Sequence, residues 1–497
     1  EDKWGFAGEQ VPNEQLGISG IDEGIPGKNT AYQSGNRMMS YLGRIDYNYK
    51  NRYLFTATFR ADGSSKFSKD NRWGYFPSAS FAWRLSDEPF MNLEDTFVSN
   101  LKLRVGWGQN GNQRIDRDAP LTLIGTNNEN QWYFGNGYSQ GYVPTYVGNA
   151  DIKWETSQQT NVGLDMSFFK NSLDVSMDFY VKKTSDMLLN MPIPSFGAFP
   201  NSPFFNAGDL KNTGFEIVVN YRNQIGKDFT YNVGLNLSSV RNKAIRFSGD
   251  GAVYTGGFHG DQIISNIDNA LISRFYGYVA DGLFQNWEEV YAHTNEHGTL
   301  VQPNAQPGDI RFKDLNHDGN LDANDKTWIG NPYPDLMLGF NLGFTYKNID
   351  FAANFYGTIG NDIYNKTKEM YSGTAGQNVW AGTFDKAWHG EGTSNDIPRL
   401  SYGDYNQNYS RVSSFYVEDG SYVRCKLLQI GYTFPKSLVG DTGLRISFSA
   451  QNPFTITSYS GMDPERPAMD GSVIETGIDN TSYPNPRTFL FGIDLKF

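Results

Sequence analysis

Residues 488–497 read T-F-L-F-G-I-D-L-K-F and end the chain. Every second position is apolar, and these five residues are Phe489, Phe491, Ile493, Leu495 and Phe497. Because successive side chains of a strand point to opposite faces, the segment predicts a strand with one wholly apolar face. About ten alternating residues is also the length of a tilted strand that crosses a bilayer. A half-buried strand of a soluble sandwich shows the same alternation, so the choice depends on the other segments.

The composition favours the membrane alternative. The chain has 497 residues, of which 15% are aromatic, yet its mean hydropathy is only -0.53. This combination is typical of a membrane barrel, in which only the lipid-facing half of each strand is apolar and the long loops are polar. The net charge of -12 argues against a nucleic-acid groove. The single cysteine, Cys425, excludes an intrachain disulfide framework and a cysteine-based zinc site.

The two-faced pattern recurs in about thirteen segments, which is the layout of an all-β transmembrane antiparallel β-barrel with long extracellular loops. Short turns alternate with long insertions between these segments. Residues 1–37 show no clear periodicity and are predicted to be the end of an extracellular loop, and residues 38–497 are predicted to supply strands of the barrel. The predicted strands lie near 38–50, 53–62, 73–85, 101–105, 162–168, 173–181, 215–221, 229–237, 338–346, 351–355, 422–434, 444–450 and 488–497.

Several stretches closely resemble the SusC/RagA family of TonB-dependent outer-membrane transporters. The first reads L-G-R-I-D-Y-N-Y-K-N-R-Y-L-F-T-A-T-F-R-A-D-G-S-S-K-F at 42–67, and the others are N-R-W-G-Y-F-P-S-A-S-F-A-W-R at 71–84, L-K-L-R-V-G-W-G-Q-N-G-N at 101–112, G-D-I-R-F-K-D-L-N-H-D-G at 308–319, L-Q-I-G-Y-T-F-P at 428–435 and Q-N-P-F-T at 451–455. The resemblance extends over essentially the whole chain. A member of this family is expected to have about 22 strands around a plugged lumen. The resemblance therefore implies the C-terminal part of such a barrel, with the plug domain and early strands outside this sequence.

The resemblance also implies a function and a set of partners. The chain is expected to be part of a TonB-dependent active importer of oligomeric nutrients across the bacterial outer membrane, and not an enzyme. Expected partners are a SusD-like surface lipoprotein, the TonB complex acting through the N-terminal part, an N-terminal fragment of the same barrel and outer-membrane lipid. Transporter–lipoprotein pairs could form a dimer. Polar residues that would line the channel include Arg44, Asp46, Arg60 and Asp165.

Glycan oligosaccharides are the expected substrates, with oligopeptides as the alternative within the same transporter type. Two alternatives of another class remain at this point, a passive porin and a soluble all-β carbohydrate-binding protein. A porin is excluded if a plug domain accompanies these strands. A soluble protein would be extracted without detergent, whereas a barrel would not.

One loop has the spacing of a metal site. Oxygen-bearing side chains occupy positions 1, 3, 5, 7, 9 and 12 of an EF-hand-like loop, with Gly319 at position 6. The spacing predicts a structural Ca²⁺ ion that stiffens a long extracellular loop, and the shorter Asp at position 12 leaves Mg²⁺ open. The alternative is a turn held by hydrogen bonds from side chains to the backbone. The predicted ligands are Asp314, Asn316, Asp318, Asn320, Asp322 and Asp325.

Aromatic residues are frequent in the predicted loops. Flat rings beside amide groups suit sugar rings, peptides or a protein lid. The alternative is that the rings pack the loops together or lie in the interfacial girdle. Neither a catalytic set nor an organic cofactor site is predicted. The predicted substrate or lid contacts are Trp132, Tyr133, Tyr138, Trp380 and Trp388.

Overall fold

The computed structural model describes most of the chain. The described residues are 2–5, 8–9, 25–26, 30–33, 35–93, 96–125, 131–135, 137–190, 203–246, 253–371, 378–440, 442–465, 475–481 and 483–497. Statements below refer to these residues. No helix among them is long and apolar enough to cross a membrane.

Thirteen long strands form one antiparallel sheet in which each strand pairs with the next one in the sequence. This confirms the predicted all-β antiparallel fold and the predicted number of strands. The segment Thr455–Thr457 adds to the sheet beside the eleventh strand. The strands are β1 Met38–Tyr49, β2 Tyr53–Ser64, β3 Trp73–Arg84, β4 Val98–Asn112, β5 Glu155–Phe168, β6 Leu173–Ser185, β7 Asp209–Ile225, β8 Phe229–Arg246, β9 Leu336–Tyr346, β10 Ile349–Ile359, β11 Tyr422–Thr433, β12 Gly443–Gln451 and β13 Thr488–Lys496.

The register gives the sheet one apolar and one polar face. Along β8, Leu235 lies opposite Phe340 of β9, and its neighbour Asn236 points to the other side, where it faces Gly339. The apolar face is uncovered: Ile493 of β13 keeps 70% of its surface exposed. A continuous exposed apolar face of this length fits lipid rather than water.

Most connections at one end of the sheet are short turns, with residues 85–97 and 434–442 as the longer ones, and all connections at the other end except residues 65–72 are long. The turn between β1 and β2 places Lys50 and Asn51 at φ 54° and 56°, and the turn between β9 and β10 places Lys347 at φ 53°. Such left-handed residues match the twist of tight hairpins. The long connections between strands are residues 113–154, 186–208, 247–335, 360–421 and 452–487. The predicted alternation of short turns and long loops is therefore present.

The long segments contain their own secondary structure. Two-stranded ladders join Asp2–Gly5 to Thr30–Gln33, Gly8–Glu9 to Ile25–Pro26, Leu123–Gly125 to Val143–Tyr146, Gln131–Phe134 to Gly137–Gln140, Leu188–Asn190 to Phe204–Asn206, and Ala280–Leu283 to Ile310–Phe312. One sheet holds Val253–Phe258, Asp261–Asn266, Arg274–Gly277 and Thr327–Gly330, and another holds Val417–Asp419, Asp362–Asn365 and Ile478–Asp479. Helices span Trp287–Ala292 and Thr383–Lys386, and 3-10 turns span Ala323–Asp325, Lys366–Tyr371 and Ser414–Tyr416. At the opposite end of the sheet, a helix spans Lys436–Val439 and a 3-10 turn spans Leu85–Asp87.

The described parts of residues 1–37 form a paired hairpin rather than an irregular loop. Its hydrogen bonds are made between strands, which the glycine- and asparagine-rich composition did not indicate. The placement of this hairpin in an extracellular loop stays a prediction.

A charge on the apolar face should be far more costly than the same charge on the polar face. We expect Leu235→Arg to lower barrel stability by about 2–4 kcal/mol, because the side chain meets hydrocarbon. Asn236→Arg is the matched control, since it places the same group one residue further along β8 on the polar face. The measurement is the amount of full-length folded barrel recovered from outer membranes, scored by its heat-dependent gel mobility. Equal recovery of the two variants would contradict the assignment of faces.

Candidate functional site

The polar face of the sheet carries charges that are paired with one another. Arg104 on β4 lies 2.9 Å from a carboxylate oxygen of Asp165 on β5 and 2.9 Å from one of Asp178 on β6. Arg445 on β12 lies 2.6 Å from Asp350 on β10. The predicted channel residues follow the same rule, because Arg44 pairs with Asp46 at 2.8 Å and Arg60 with Asp62 at 2.7 Å. These four arginines of the polar face are therefore neutralised by neighbouring carboxylates.

Residues 253–335, 360–371, 378–421 and 475–480, called the crown below, pack into a structure beyond the long-loop end of the sheet. Its largest core includes the fully buried rings of Phe275, Tyr364 and Tyr416. The two tyrosine rings are stacked with their centroids 5.1 Å apart. Burying rings of this size supplies a large apolar contribution, so the crown has a core of its own.

A buried polar network joins two distant parts of the crown. Asp309 has no exposed surface and accepts a hydrogen bond of 2.7 Å from Nε of Arg399. It also accepts from Nδ2 of Asn408 at 3.0 Å. Asn408 in turn accepts from the backbone N–H of Ile310 at 2.8 Å. Because an unpaired buried carboxylate is costly, Arg399 and Asn408 hold residues 399–408 against the strand Ile310–Phe312.

A second cluster attaches the segment after β12 to β11. Arg424 lies 2.7 Å from Asp463 and also pairs with Glu465, and Glu465 pairs with Lys426. The backbone N–H of Asn485 donates to Asp463 at 2.8 Å. Burial would raise the pKa of Asp463, but the hydrogen bonds from Arg424 and from backbone N–H groups hold that pKa below its usual value. The carboxylate therefore stays ionised and the segment stays attached.

The predicted metal loop is a turn with many internal hydrogen bonds. Asp325 is fully buried and accepts from the backbone N–H groups of Leu315 and Asp322, each at 2.8 Å. Asp314 accepts from the N–H of Gly319 at 2.8 Å through Oδ2, whereas its Oδ1 is buried without a partner. Gly319 has φ 83°, which suits glycine. The turn interpretation thus accounts for most of the carboxylate oxygens.

The other predicted ligands lie on the same turn. Asn316 donates to Asp318 at 2.8 Å, Asp318 accepts from the N–H of Asn320 at 2.7 Å, and Asp322 caps the 3-10 turn Ala323–Asp325. Among the described residues, no three His, Cys, Asp or Glu side chains converge as a metal site. The loop brings all six predicted residues together, and metal binding stays a prediction.

Two of the five predicted aromatic contacts, Trp380 and Trp388, make packing interactions within the crown. The ring of Trp388 packs over Gly308, where any side chain would collide with it, and its Nε1 donates to Gln285 at 3.1 Å. Trp380 donates to the carbonyl of Thr367 at 3.3 Å. These two tryptophans therefore support the crown, as the packing alternative foresaw. Tyr133 is 59% exposed on the ladder Gln131–Phe134, and the side chains of Trp132 and Tyr138 lie outside the described part of the chain.

The crown contains a cleft of about 660 Å³ between residues 298–304, 319–321 and 405–411. One charged side chain lines it, that of Arg411. Tyr405, 72% exposed, supplies an aromatic ring, and Asn320 of the Asp/Asn turn also lines the cleft. Arg411 carries no sequence signal, because it is an isolated cation in a polar segment whose neighbours in space are about 100 positions away.

A family model described as TonB dependent receptor-like, beta-barrel matches residues 6–263. The chain therefore belongs to the TonB-dependent receptor β-barrel family, whose members are outer-membrane proteins. The class of protein is thus an outer-membrane β-barrel.

Its relatives within this class include SusC. The chain is 35% identical over 480 residues to TonB-dependent receptor P3 of Formosa agariphila, covering 94% of this chain and 46% of that protein. It is 34% identical over 481 residues to TonB-dependent receptor SusC of Bacteroides thetaiotaomicron, covering 94% and 44%. The resemblance to the SusC/RagA family that the motifs carry is confirmed. The chain spans about half the length of the curated relatives it matches.

Among solved structures, the RagAB peptide transporter matches with a TM-score of 0.78 and 23% identity, covering 98% of this chain and 50% of that chain. The RagAB peptide importer in its open-open state matches with a TM-score of 0.76 and 22% identity, covering 98% and 50%. These similarities establish the fold.

Removing one partner of the buried network should loosen the crown. We expect Arg399→Met to cost about 3–5 kcal/mol, because Asp309 would be left buried without its cation. Hydrogen–deuterium exchange of the full-length protein should then show faster exchange in residues 306–312 and 404–410. The control is Arg44→Met, which breaks an exposed pair worth about 0–1 kcal/mol. Unchanged exchange in the Arg399 variant would show that the network does not hold the crown.

Proposed function

We propose that this chain is part of a TonB-dependent active importer that carries oligomeric nutrients across the bacterial outer membrane. One observation carries this proposal. A membrane-spanning sheet with paired charges on its polar face continues into a folded crown that contains a cleft. A polar wall with paired charges lets a hydrated oligomer pass without a deep electrostatic trap. The relatives named SusC and TonB-dependent receptor support the same function.

The transport cycle assigns a separate task to each part. A SusD-like surface lipoprotein covers the crown and retains the substrate. The TonB complex pulls on a plug supplied by the N-terminal part of the same protein, and this opens the lumen. The strands described here form the wall, and transporter–lipoprotein pairs could associate as a dimer. No bond of the substrate is made or broken, so the chain is not an enzyme.

Glycan oligosaccharides are the first substrate candidates. Exposed tyrosine rings beside amide side chains in the crown suit sugar rings. Oligopeptides are the second candidate, because the solved RagAB structures with the same fold are those of a peptide transporter.

Uptake by cells that carry the full-length protein and its lipoprotein tests this proposal. Fluorescent oligosaccharides and oligopeptides of about four to eight units should be offered separately, in cells with and without a functional TonB complex. We expect TonB-dependent uptake of oligosaccharides and little uptake of peptides. Uptake that persists without TonB would indicate a passive porin instead, and uptake of peptides alone would favour the second substrate class.

We also propose that the Asp314–Asp325 turn binds Ca²⁺. The buried, unpartnered Oδ1 of Asp314 supports this proposal, because a cation would satisfy it. The oxygen-rich spacing of the turn suits a hard dication. The Ca²⁺ ion would have a structural role. It would stiffen the turn, whose residues Gly319 and Asn320 line the cleft.

Calcium should protect this turn from exchange. We expect the full-length protein to show slower hydrogen–deuterium exchange over residues 314–325 with Ca²⁺ than with a chelator, and a smaller effect with Mg²⁺. Asp314→Asn should abolish the difference, whereas Asp385→Asn, an exposed carboxylate elsewhere in the crown, should retain it. Equal exchange in all conditions would leave the hydrogen-bonded turn as the full description of this loop.

A further inference from the structure

The charge that lines the cleft in the crown is opposite in sign to the net charge of the protein. The protein has a net charge of -12, yet no carboxylate lines this cleft and its one charged side chain is that of Arg411. An acidic protein that presents a cationic cleft favours an anionic ligand there.

Arg411 is held in place without an ion pair. Its guanidinium carbon lies 5.1 Å from the ring centroid of Tyr278 and 5.3 Å from that of Phe312. Nε donates to Gln407 at 2.9 Å. Nη1 is buried without an acceptor, and Arg411 has no carboxylate within 4 Å among the described residues. Arg399 of the crown is instead paired with Asp309, whereas Arg274, like Arg411, lies over an aromatic ring and has a buried nitrogen without a partner.

The partly desolvated guanidinium of Arg411 has no ion pair, and burial lowers its pKa although Tyr278, Asp404 and Asp325 act in the opposite direction. A carboxylate that enters the cleft would supply a direct partner and form charge-assisted hydrogen bonds in the fork geometry that arginine offers. The two aromatic rings fix the plane of the guanidinium, so little side-chain entropy would be lost on binding.

The remaining lining suits a sugar. Tyr405 presents an exposed ring, and Asn304 and Asn320 are exposed amide side chains at the same cleft. Hydroxyl groups pair well with amides, and a pyranose ring packs on a tyrosine face. The volume of about 660 Å³ accommodates a short oligomer.

We infer that this cleft recognises oligosaccharides that carry carboxylate groups, with Arg411 as the residue that selects the charge. The inference names a substrate class for the proposed importer. It rests on the proposed function only because it assumes that the ligand bound in the cleft is the transported substrate. Selection at the cleft is a binding property, so it is measured without transport.

The test compares two ligands whose carboxyl groups are either ionised or methyl-esterified. Tetragalacturonate and its fully methyl-esterified form share one sugar backbone, and calorimetry with the full-length transporter in detergent gives both affinities. We expect the acid to bind at least ~10-fold more tightly than the ester, since charge-assisted bonds are the stronger ones. Arg411→Gln should remove this preference, and Arg411→Lys should restore part of it because the charge remains.

Arg274→Gln is the matched control. Arg274 also lies over a ring, 4.3 Å from that of Trp328, has a buried Nε without a partner, and lies outside the cleft lining. Its variant should bind both ligands as the unaltered protein does, and thermal unfolding should show that the variants are folded. A preference that survives Arg411→Gln, or equal binding of acid and ester, overturns the inference.

Two further outcomes separate this inference from the proposed function. Tetraglutamate that binds as tightly as tetragalacturonate would show that charge alone is recognised, and the sugar assignment would be wrong. Arg411-dependent binding without TonB-dependent uptake would refute import and leave the cleft assignment intact. TonB-dependent uptake of neutral oligosaccharides without any charge preference would refute the cleft assignment alone.

Discussion

The hydrogen bonds of the backbone are the constraint on which the rest of this structure depends. In the hydrocarbon region, water does not replace a missing partner, so each N–H and C=O of a spanning strand has to pair with a neighbouring strand. Between β1 and β13 the sheet meets this demand by pairing each strand with the next one in sequence, and among the described residues only the outer edges of β1 and β13 lack a neighbouring strand. Such pairing can be made with tight turns at one end, as four of the six connections there are, and the other end is then free to carry long segments. The crown is thus a consequence of the same ladder that allows the sheet to cross the membrane.

The ladder also determines where charge can lie. One face of each strand is given over to lipid, so every ionised group of the spanning region is confined to the other face. There the charges neutralise one another across neighbouring strands, as Arg104 does with Asp165 and Asp178. In the crown, a charged pair such as Arg399 with Asp309 is buried rather than exposed. It is therefore a requirement for folding rather than a surface contact.

The alternation of apolar and polar residues made the sheet predictable from the sequence, because period two is a local property. The strand ends were less predictable. The structure extends β4 over Val98–Asn112, beyond the predicted 101–105, and β7 over Asp209–Ile225, beyond the predicted 215–221. The added residues of β7 include polar groups on both faces, so no alternation marks them. The hairpin formed by parts of residues 1–37 was missed for the same reason.

Some parts of the candidate site were also predictable from the sequence and others were not. The Asp/Asn turn was locatable, because its oxygen spacing lies within twelve consecutive residues. The packing role of Trp388 was not readable, because Gln285 lies 103 positions away. Arg411 is a sharper case, since its stacking partners Tyr278 and Phe312 come from two other segments of the crown. No single-sequence pattern reports such long-range contacts.

The contrast between the wall and the cleft has a physical basis in transport. A channel wall that held an unpaired cation would bind an anionic oligomer and slow its passage. An entrance without an unpaired cation would not distinguish an anionic oligomer from a neutral one. Pairing Arg104 and Arg445 within the sheet while leaving Arg411 without an ion pair in the crown separates selection from conduction. The distribution of paired and unpaired arginines, rather than their number, is therefore the property that would distinguish a selective importer from a plain pore.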